Sequence, residues 1–256
     1  MRQLIKNIPV LGPTARRYYR RWTGKERPPY IFNRVAWDAS SGTESEQDRE
    51  LQQVANLLNY TKTSGTLYAA TKMPAGYHTI ELNGQTLRGQ RNPRERLDAI
   101  PLDFSGKTVL DIGCNQGGML FALRDQIASG TGIDFDTRMI NVANRISRCM
   151  GANHLDFYVF DLATEQLDII RDLLPTPKVD IAFLLAVCMW IPNWREVIQF
   201  TADVSDQMVF ESNGSPRQQQ EQISYLESLY GEVTQLTASS DDDATSCTSR
   251  QLYLCR

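Results

Sequence analysis

At 256 residues, 41% of them hydrophobic and 22% charged, the chain can hold one large domain with its own core plus an appendage, which excludes a small disulfide-held scaffold. Its five cysteines (Cys114, Cys149, Cys188, Cys247, Cys255) are scattered without a Cys-x-x-Cys pair, and His78 and His154 are its only histidines, so no metal centre is expected. The formal net charge of −3 conceals an asymmetry: residues 1–25 carry seven basic and no acidic side chains, leaving 20 basic against 30 acidic in the rest, a balance that opposes an extended phosphate-binding surface.

No apolar run approaches the roughly 20 residues needed to span a bilayer, and the N-terminus lacks the apolar core and cleavage site of a secretory signal. With the unpaired cysteines this predicts a cytoplasmic protein. The first element is a short helix opened by Gly12-Pro13, with Ala15, Tyr18, Tyr19 and Trp22 on one face and Arg16, Arg17, Arg20 and Arg21 beside them. The preferred reading docks the aromatic stripe on the rest of the protein with the arginines solvated. Peripheral contact of residues 13–22 with an anionic membrane, or with RNA, is the alternative.

Lys25–Gly42, with Pro28 and Pro29, reads as an extended linker anchored by Tyr30, Phe32 and Trp37. From Glu44 to about Tyr60, Leu51, Val54, Ala55 and Leu58 mark an amphipathic helix. Tyr77–Leu82 and Gln85–Leu87 flank Asn83-Gly84, a strong hairpin signal, and Asn92-Pro93 opens a helix to about Ile100. After Gly106, strands near 107–112, 130–134, 155–160, 179–187 and 206–211 alternate with helical segments, which implies βαβ units and a parallel sheet. The runs 232–239 and 250–255, parted by the polar loop 241–246, close the chain as an antiparallel pair.

Val109-Leu110-Asp111-Ile112-Gly113-Cys114-Asn115-Gln116-Gly117-Gly118 runs from a buried strand through a turn into a helix. A dinucleotide loop would need glycine where Asn115 stands. A carboxylate at Asp111 would repel a diphosphate but attract the ammonium of a methionine moiety near a sulfonium, so the loop suits S-adenosyl-L-methionine (SAM). Asp134, followed by Phe135, ends the second strand where it can accept from both ribose hydroxyls; Asp161 and Leu162, after the third, can read the adenine edge. Gly113, Cys114, Asn115 and Gly117 form the loop around this ligand, with Ala186 beside it at the exit of the fourth strand. Three acidic residues at successive strand ends, each matched to a different part of one ligand, make the pattern more telling than any glycine loop alone.

On these motifs the stretch from about Gly76 to Arg256 resembles class I SAM-dependent methyltransferases. The resemblance implies an α/β, Rossmann-like, seven-stranded, mostly parallel sheet of order 3-2-1-4-5-7-6 with helices on both faces and the seventh strand antiparallel. Residues 1–97 would form an N-terminal helical and hairpin cap, and residues 98–256 the SAM-binding domain. Asp-Ile-Gly-Cys-Asn, preceded by Tyr-His-Thr-Ile-Glu-Leu, is further similar to a branch holding saccharide and natural-product methyltransferases and the wobble-uridine tRNA enzymes. Where the carboxymethyl-transferring members of that branch hold a Trp/Lys-containing stretch, this chain has Arg91, Asn92, Pro93 and Arg94, which favours ordinary SAM, with S-adenosyl-L-homocysteine (SAH) as product.

Methyl transfer needs the acceptor placed in line and its proton removed. Candidates above the strand ends are His78 and Glu211 as bases, and Arg88, Arg91, Trp190 and Asn213 as acceptor contacts; the competing readings are a bond to the hairpin backbone for His78, capping of the next helix for Glu211, packing under the following helix for Trp190 and a solvated surface position for the arginines. Arg94 joins Arg88 and Arg91 in a basic stretch that would grip an acidic acceptor or the methionine carboxylate. The sequence thus predicts an O-methyltransferase acting on a small molecule or saccharide, without assigning its oligomeric state. A tRNA-modifying enzyme and a non-catalytic SAM-binding partner subunit are the alternatives.

Overall fold

Side chains alternate between two apolar layers along every central strand, and this period of two builds the sheet. In the computed structural model, which describes residues 46–62, 73–239 and 250–256, Val109, Ile181, Phe183, Val209, Leu252 and Leu254 face one layer, and Leu110, Ile112, Ala182, Leu184, Met208, Phe210, Tyr253 and Cys255 the other. The helix expected at 13–22, the linker at 25–42 and the loop at 241–246 lie outside the described residues, all of which fall within one compact unit, Arg34–Arg256.

The described elements are α1 (Glu46–Thr61), β1 (Ile80–Leu82), β2 (Gln85–Leu87), α2 (Pro93–Asp98), β3 (Thr108–Ile112), α3 (Gly118–Leu123), β4 (Ser129–Asp134), α4 (Thr137–Met150), β5 (Leu155–Val159), α5 (Ile169–Leu173), β6 (Val179–Leu185), α6 (Trp194–Val204), β7 (Ser205–Glu211), α7 (Pro216–Leu229), β8 (Val233–Thr237) and β9 (Leu252–Cys255). The main sheet has the order β5-β4-β3-β6-β7-β9-β8. Pairing is parallel from β5 to β7, and β9 runs antiparallel to both β7 and β8. This is the order and hand of pairing that the resemblance implied. Three strands end earlier than the sequence suggested: β5 stops at Val159 and β6 at Leu185, where the chain leaves the ladder for the loops of the upper rim, and β8 stops at Thr237.

Local chemistry sets the helix ends. Asp136 caps α4, its carboxylate accepting from the Arg138 N–H, and Gly151 closes it in the left-handed conformation. A capping box of Ser215 and Gln218, with Pro216 in the first turn, starts α7. The first layer is completed by Leu51, Val54 and Leu58 of α1, Ile80 and Leu82 of β1, and Met119, Leu120 and Leu123 of α3. Helix α1 packs along α4, where Arg145 reaches Glu50 at 3.6 Å and bonds the Gln53 side chain. The second layer is filled by Val197 and Ile198 of α6 and Ile223 and Leu226 of α7.

Candidate active site

The chain leaves β3 through Gly113, Asn115 and Gly117, all at positive φ (77°, 53° and 77°). A Cβ on Gly113 would lie 2.6 Å from Val187 Cγ2, and one on Gly117 2.5 Å from the Phe157 ring, so both positions require glycine for space as well as for backbone angle. Gly113 and Cys114 donate their N–H groups to the Ile133 carbonyl, fastening the loop to β4.

Inside this cradle Asp111 is 2% exposed, and its Oδ2 has no hydrogen-bond partner among the described residues. Burial, with the charge of Asp134 adding to it, pushes its carboxyl up to about 8. A buried carboxylate without a counter-charge is costly, so the end of β3 is a place that seeks a cation. Asp134, half-buried, accepts from the N–H groups of Asn115 (2.9 Å) and Asp136 (2.8 Å). Burial raises it to about 6 against the pull of those backbone bonds.

Phe135 and Val159, 56% and 46% exposed, stand at the ends of β4 and β5, an apolar surface for a flat ring. Asp161 accepts from the Ala163 N–H at 3.0 Å, and the buried Leu162 receives the Asn193 amide on its carbonyl at 2.7 Å. The expected cofactor residues on β3, β4 and β5 therefore gather along one rim. Ala186, at φ 58°, joins them from the exit of β6, its N–H held by the Glu211 carbonyl at 3.0 Å.

Beside this rim a cavity of about 310 Å³ is lined by His78, Arg91, Arg96, Met119, Glu211 and Arg250 among others. His78 reaches it through the strand-like entry to the hairpin, where it bridges to Arg91, and is 4% exposed. Its imidazole lies against Gly118, where a Cβ would come within 2.5 Å of His78 Cγ. Its backbone N–H donates to Gln116 Oε1 (3.2 Å), and Gln116 Nε2 donates to Thr61 Oγ1 (3.1 Å). The loop, the hairpin and α1 are thus locked to one another. Glu211, 1% exposed, meets Arg96 at 2.7 Å, Arg91 at 3.5 Å and Arg250 at 3.6 Å.

The structure places the other expected acceptor residues elsewhere. Arg88 is exposed, and Arg94, also exposed, pairs with Glu81 at 2.7 Å; neither lines the cavity. Trp190 is half-buried on the short 3-10 turn Cys188–Trp190, also outside the lining. Asn213 is buried: its side chain accepts from the Met189 N–H at 2.9 Å and donates to the Ala186 carbonyl. That amide is occupied in closing the turn after β6, so the direct acceptor contact expected of Asn213 is replaced by a hold on the loop that carries Ala186.

Sequence reasoning missed Arg96, Arg250 and Gln116. Arg96 lies one helical turn beyond Pro93, and its position relative to Glu211 was the missing information. Arg250 carries no local signal. Gln116 stood inside the loop motif, but a buried glutamine is recognisable only from its two partners.

Among the described residues no group of three His, Cys, Asp or Glu is arranged to hold a metal ion, and no helix is long and apolar enough to cross a membrane. Residues 103–241 match the family model described as a methyltransferase domain. The trans-aconitate 2-methyltransferase of Rhizobium rhizogenes is 32% identical over 115 residues, a stretch covering 44% of this chain and only 40% of that enzyme. Among solved structures, EvdMO1 aligns with a TM-score of 0.58 at 16% identity over 81% of this chain and 47% of that one. The N-terminal domain of EvdMO1 with SAH bound aligns at 0.54 and 14% identity over 70% and 90%, and the same domain in the presence of SAH and D-fucose at 0.57 and 14% over 84% and 99%. At these identities the structural likeness shows the fold. The family match, the sheet order and the carboxylate-lined loop agree, and the chain belongs to the methyltransferase domain family, carrying a class I domain whose cofactor is SAM.

Proposed function

We propose that the protein transfers the methyl group of SAM to an oxygen of a small-molecule or saccharide acceptor and releases SAH. The observation that carries this reading is the contact of His78 with Gly118: a histidine lining a metabolite-sized cavity packs on the first residue of the helix that leaves the cofactor loop. The names of its relatives agree, since one acts on a small carboxylic acid and another was examined with a sugar.

In this reading Asp111 pairs with the methionine ammonium, the backbone of Gly113, Cys114, Asn115 and Gly117 wraps the amino-acid end, and Asp134 accepts from the ribose. Phe135, Asp161 and Leu162 receive the adenine, and Ala186 borders the methyl group. SAM supplies a carbon already activated by the neighbouring sulfonium. What the chain must add is placement of the acceptor and, where the acceptor oxygen is a hydroxyl and not a carboxylate, removal of its proton. We assign the second task to His78. Glu211, surrounded by three guanidinium groups, is assigned to holding those arginines rather than to proton removal. Arg91 stays an acceptor contact, and Arg88 and Trp190 are left outside the chamber.

The test is SAH release from full-length protein challenged with pools of carboxylic acids, saccharides and RNA. Release with an acid or a saccharide, lowered about 10²-fold or more by His78→Ala, supports the proposal. Full turnover in His78→Ala would remove the base, release only with RNA would favour the tRNA enzyme, and SAM binding without release from any pool would favour the partner subunit.

A further inference from the structure

Helix α6 starts on an asparagine whose side chain does not cap it. Asn193 holds the N-cap position, yet its side chain accepts from no N–H of the first turn, the bond by which an asparagine there ordinarily stabilises a helix. The amide instead leaves its own helix and donates to the Leu162 carbonyl, 31 residues earlier, at 2.7 Å. The other end of the amide, Oδ1, is shielded from solvent and has no hydrogen-bond partner among the described residues. A helix start without its side-chain cap and a buried acceptor without a bond are both unfavourable, and both follow from the hold on Leu162. That hold acts on the loop after β5. Around Leu162 the backbone donors are taken: Phe160 N–H by the Asp134 carbonyl, Asp161 N–H by the Glu165 carboxylate, Ala163 N–H by the Asp161 carboxylate, and those of Thr164 and Glu165 by the Asp161 carbonyl. The Leu162 N–H, in the middle of this run, has no acceptor among the described residues. The Leu162 side chain is buried in the second apolar layer and its carbonyl is tied to Asn193, so the direction of its open N–H is set as well.

We infer that Asn193 is a positioning residue for the adenine of the cofactor, holding Leu162 so that its open N–H meets a ring nitrogen while the Asp161 carboxylate accepts from the exocyclic amine. The inference rests on the adenine seat proposed above at Asp161 and Leu162, and adds the residue that orients it. Asn193 closes the segment between β6 and α6 that begins with Ala186, so a single amide ties the adenine end of the rim to the stretch assigned to the methyl group.

The experiment is calorimetric titration of the full-length protein with SAH and with S-inosyl-L-homocysteine, which differ only in the purine: an oxo group replaces the exocyclic amine, and the ring nitrogen beside it carries a hydrogen. The analogue therefore offers a donor to the Leu162 N–H and an acceptor to the Asp161 carboxylate. The wild type should prefer SAH by about 100-fold or more. Asn193→Ala should lower that preference about tenfold by weakening SAH, with binding of the analogue changed less than about twofold. Asn193→Asp can cap α6 but has no N–H to give the Leu162 carbonyl, so it keeps the helix start and should lose the same preference. The inference is overturned if either variant keeps the wild-type preference, including the case in which SAH and the analogue weaken by the same factor, the mark of a purely structural role. Asp161→Ala tells the two failures apart. If it lowers the preference and the Asn193 variants do not, the adenine seat stands and the role of Asn193 falls. If it leaves the preference unchanged, the seat falls and the inference with it.

Discussion

The upper rim of the sheet has two halves of opposite character. Over β3 to β5 it is acidic, with Asp111, Asp134 and Asp161 close to strand ends; by β7 and β9 it is basic, with Arg91, Arg96 and Arg250 around Glu211. Asp111 is buried with a second carboxylate, Asp134, as its charged neighbour, whereas Glu211 has three guanidiniums within 4 Å. The first half is short of cations and the second is rich in them. Such a division matches a bisubstrate reaction in which one ligand carries positive charge at its reacting end.

The largest expected effect falls on the basic half. Glu211→Gln leaves the buried Arg91 and the partly buried Arg96 and Arg250 without this shared carboxylate, and loss of one partner from a buried ion pair costs about 3–5 kcal/mol. Chemical denaturation should show a midpoint lowered accordingly; an unchanged midpoint would mean that Glu211 does not hold the arginines.

Asp111→Asn should act in the opposite sense on the apoprotein. Removing a buried carboxylate that lacks a counter-charge should raise the thermal midpoint at pH 8, while SAM affinity falls by about 100-fold, or about 2.7 kcal/mol. A loss of both, or of neither, breaks the contrast between the two halves.

A gentler probe is pH. Because Asp111 is raised to about 8 and Asp134 to about 6 from an ordinary value of 3.8, the folded apoprotein holds protons that the unfolded chain has released. Apoprotein stability therefore falls as pH rises from about 4 to about 8. On the proposed pairing of SAM with the ionised Asp111, SAM should bind more tightly over the upper part of the same window, by up to about tenfold per pH unit for one linked proton. Calorimetry at pH 6, 7 and 8 checks the slope, and Asp111→Asn should flatten it. A flat profile in the wild type would detach Asp111 from the ligand.

The smallest effect is expected at Arg94, which sits two residues from Arg96 in α2 but pairs with Glu81 at the surface. Arg94→Ala should cost less than about 1 kcal/mol, read by chemical denaturation. An effect as large as that of Glu211→Gln would show that position on the helix, rather than contact with Glu211, governs the basic half.

Much of the acidic half was legible before any coordinates. Asp111 and Asp134 each lie at or next to the end of an apolar run, and Asp161 two residues past one. The glycines beside Asp111 mark a turn whose backbone angles other residues adopt only under strain. The Asn83-Gly84 turn and the Asn92 cap are likewise relations between near neighbours, and the elements they announce are present. In the basic half proximity in sequence is a weaker guide: Arg88 and Arg94 are the exposed arginines that a polar surface stretch suggests, and of the three Arg91 turns inward.

Residue type and spacing determined the period of each element, the places where the chain must turn and the charge at the strand ends, because those effects act over a few residues. Tertiary structure decided which distant charges meet. Arg91 and Glu211, 120 residues apart, touch only because the hairpin region folds over the rim. Arg250 arrives because β9 inserts beside β7, with Leu252 in register with Glu211. Register is a property of the paired strands and of the core that holds them, and no short window of the chain contains it.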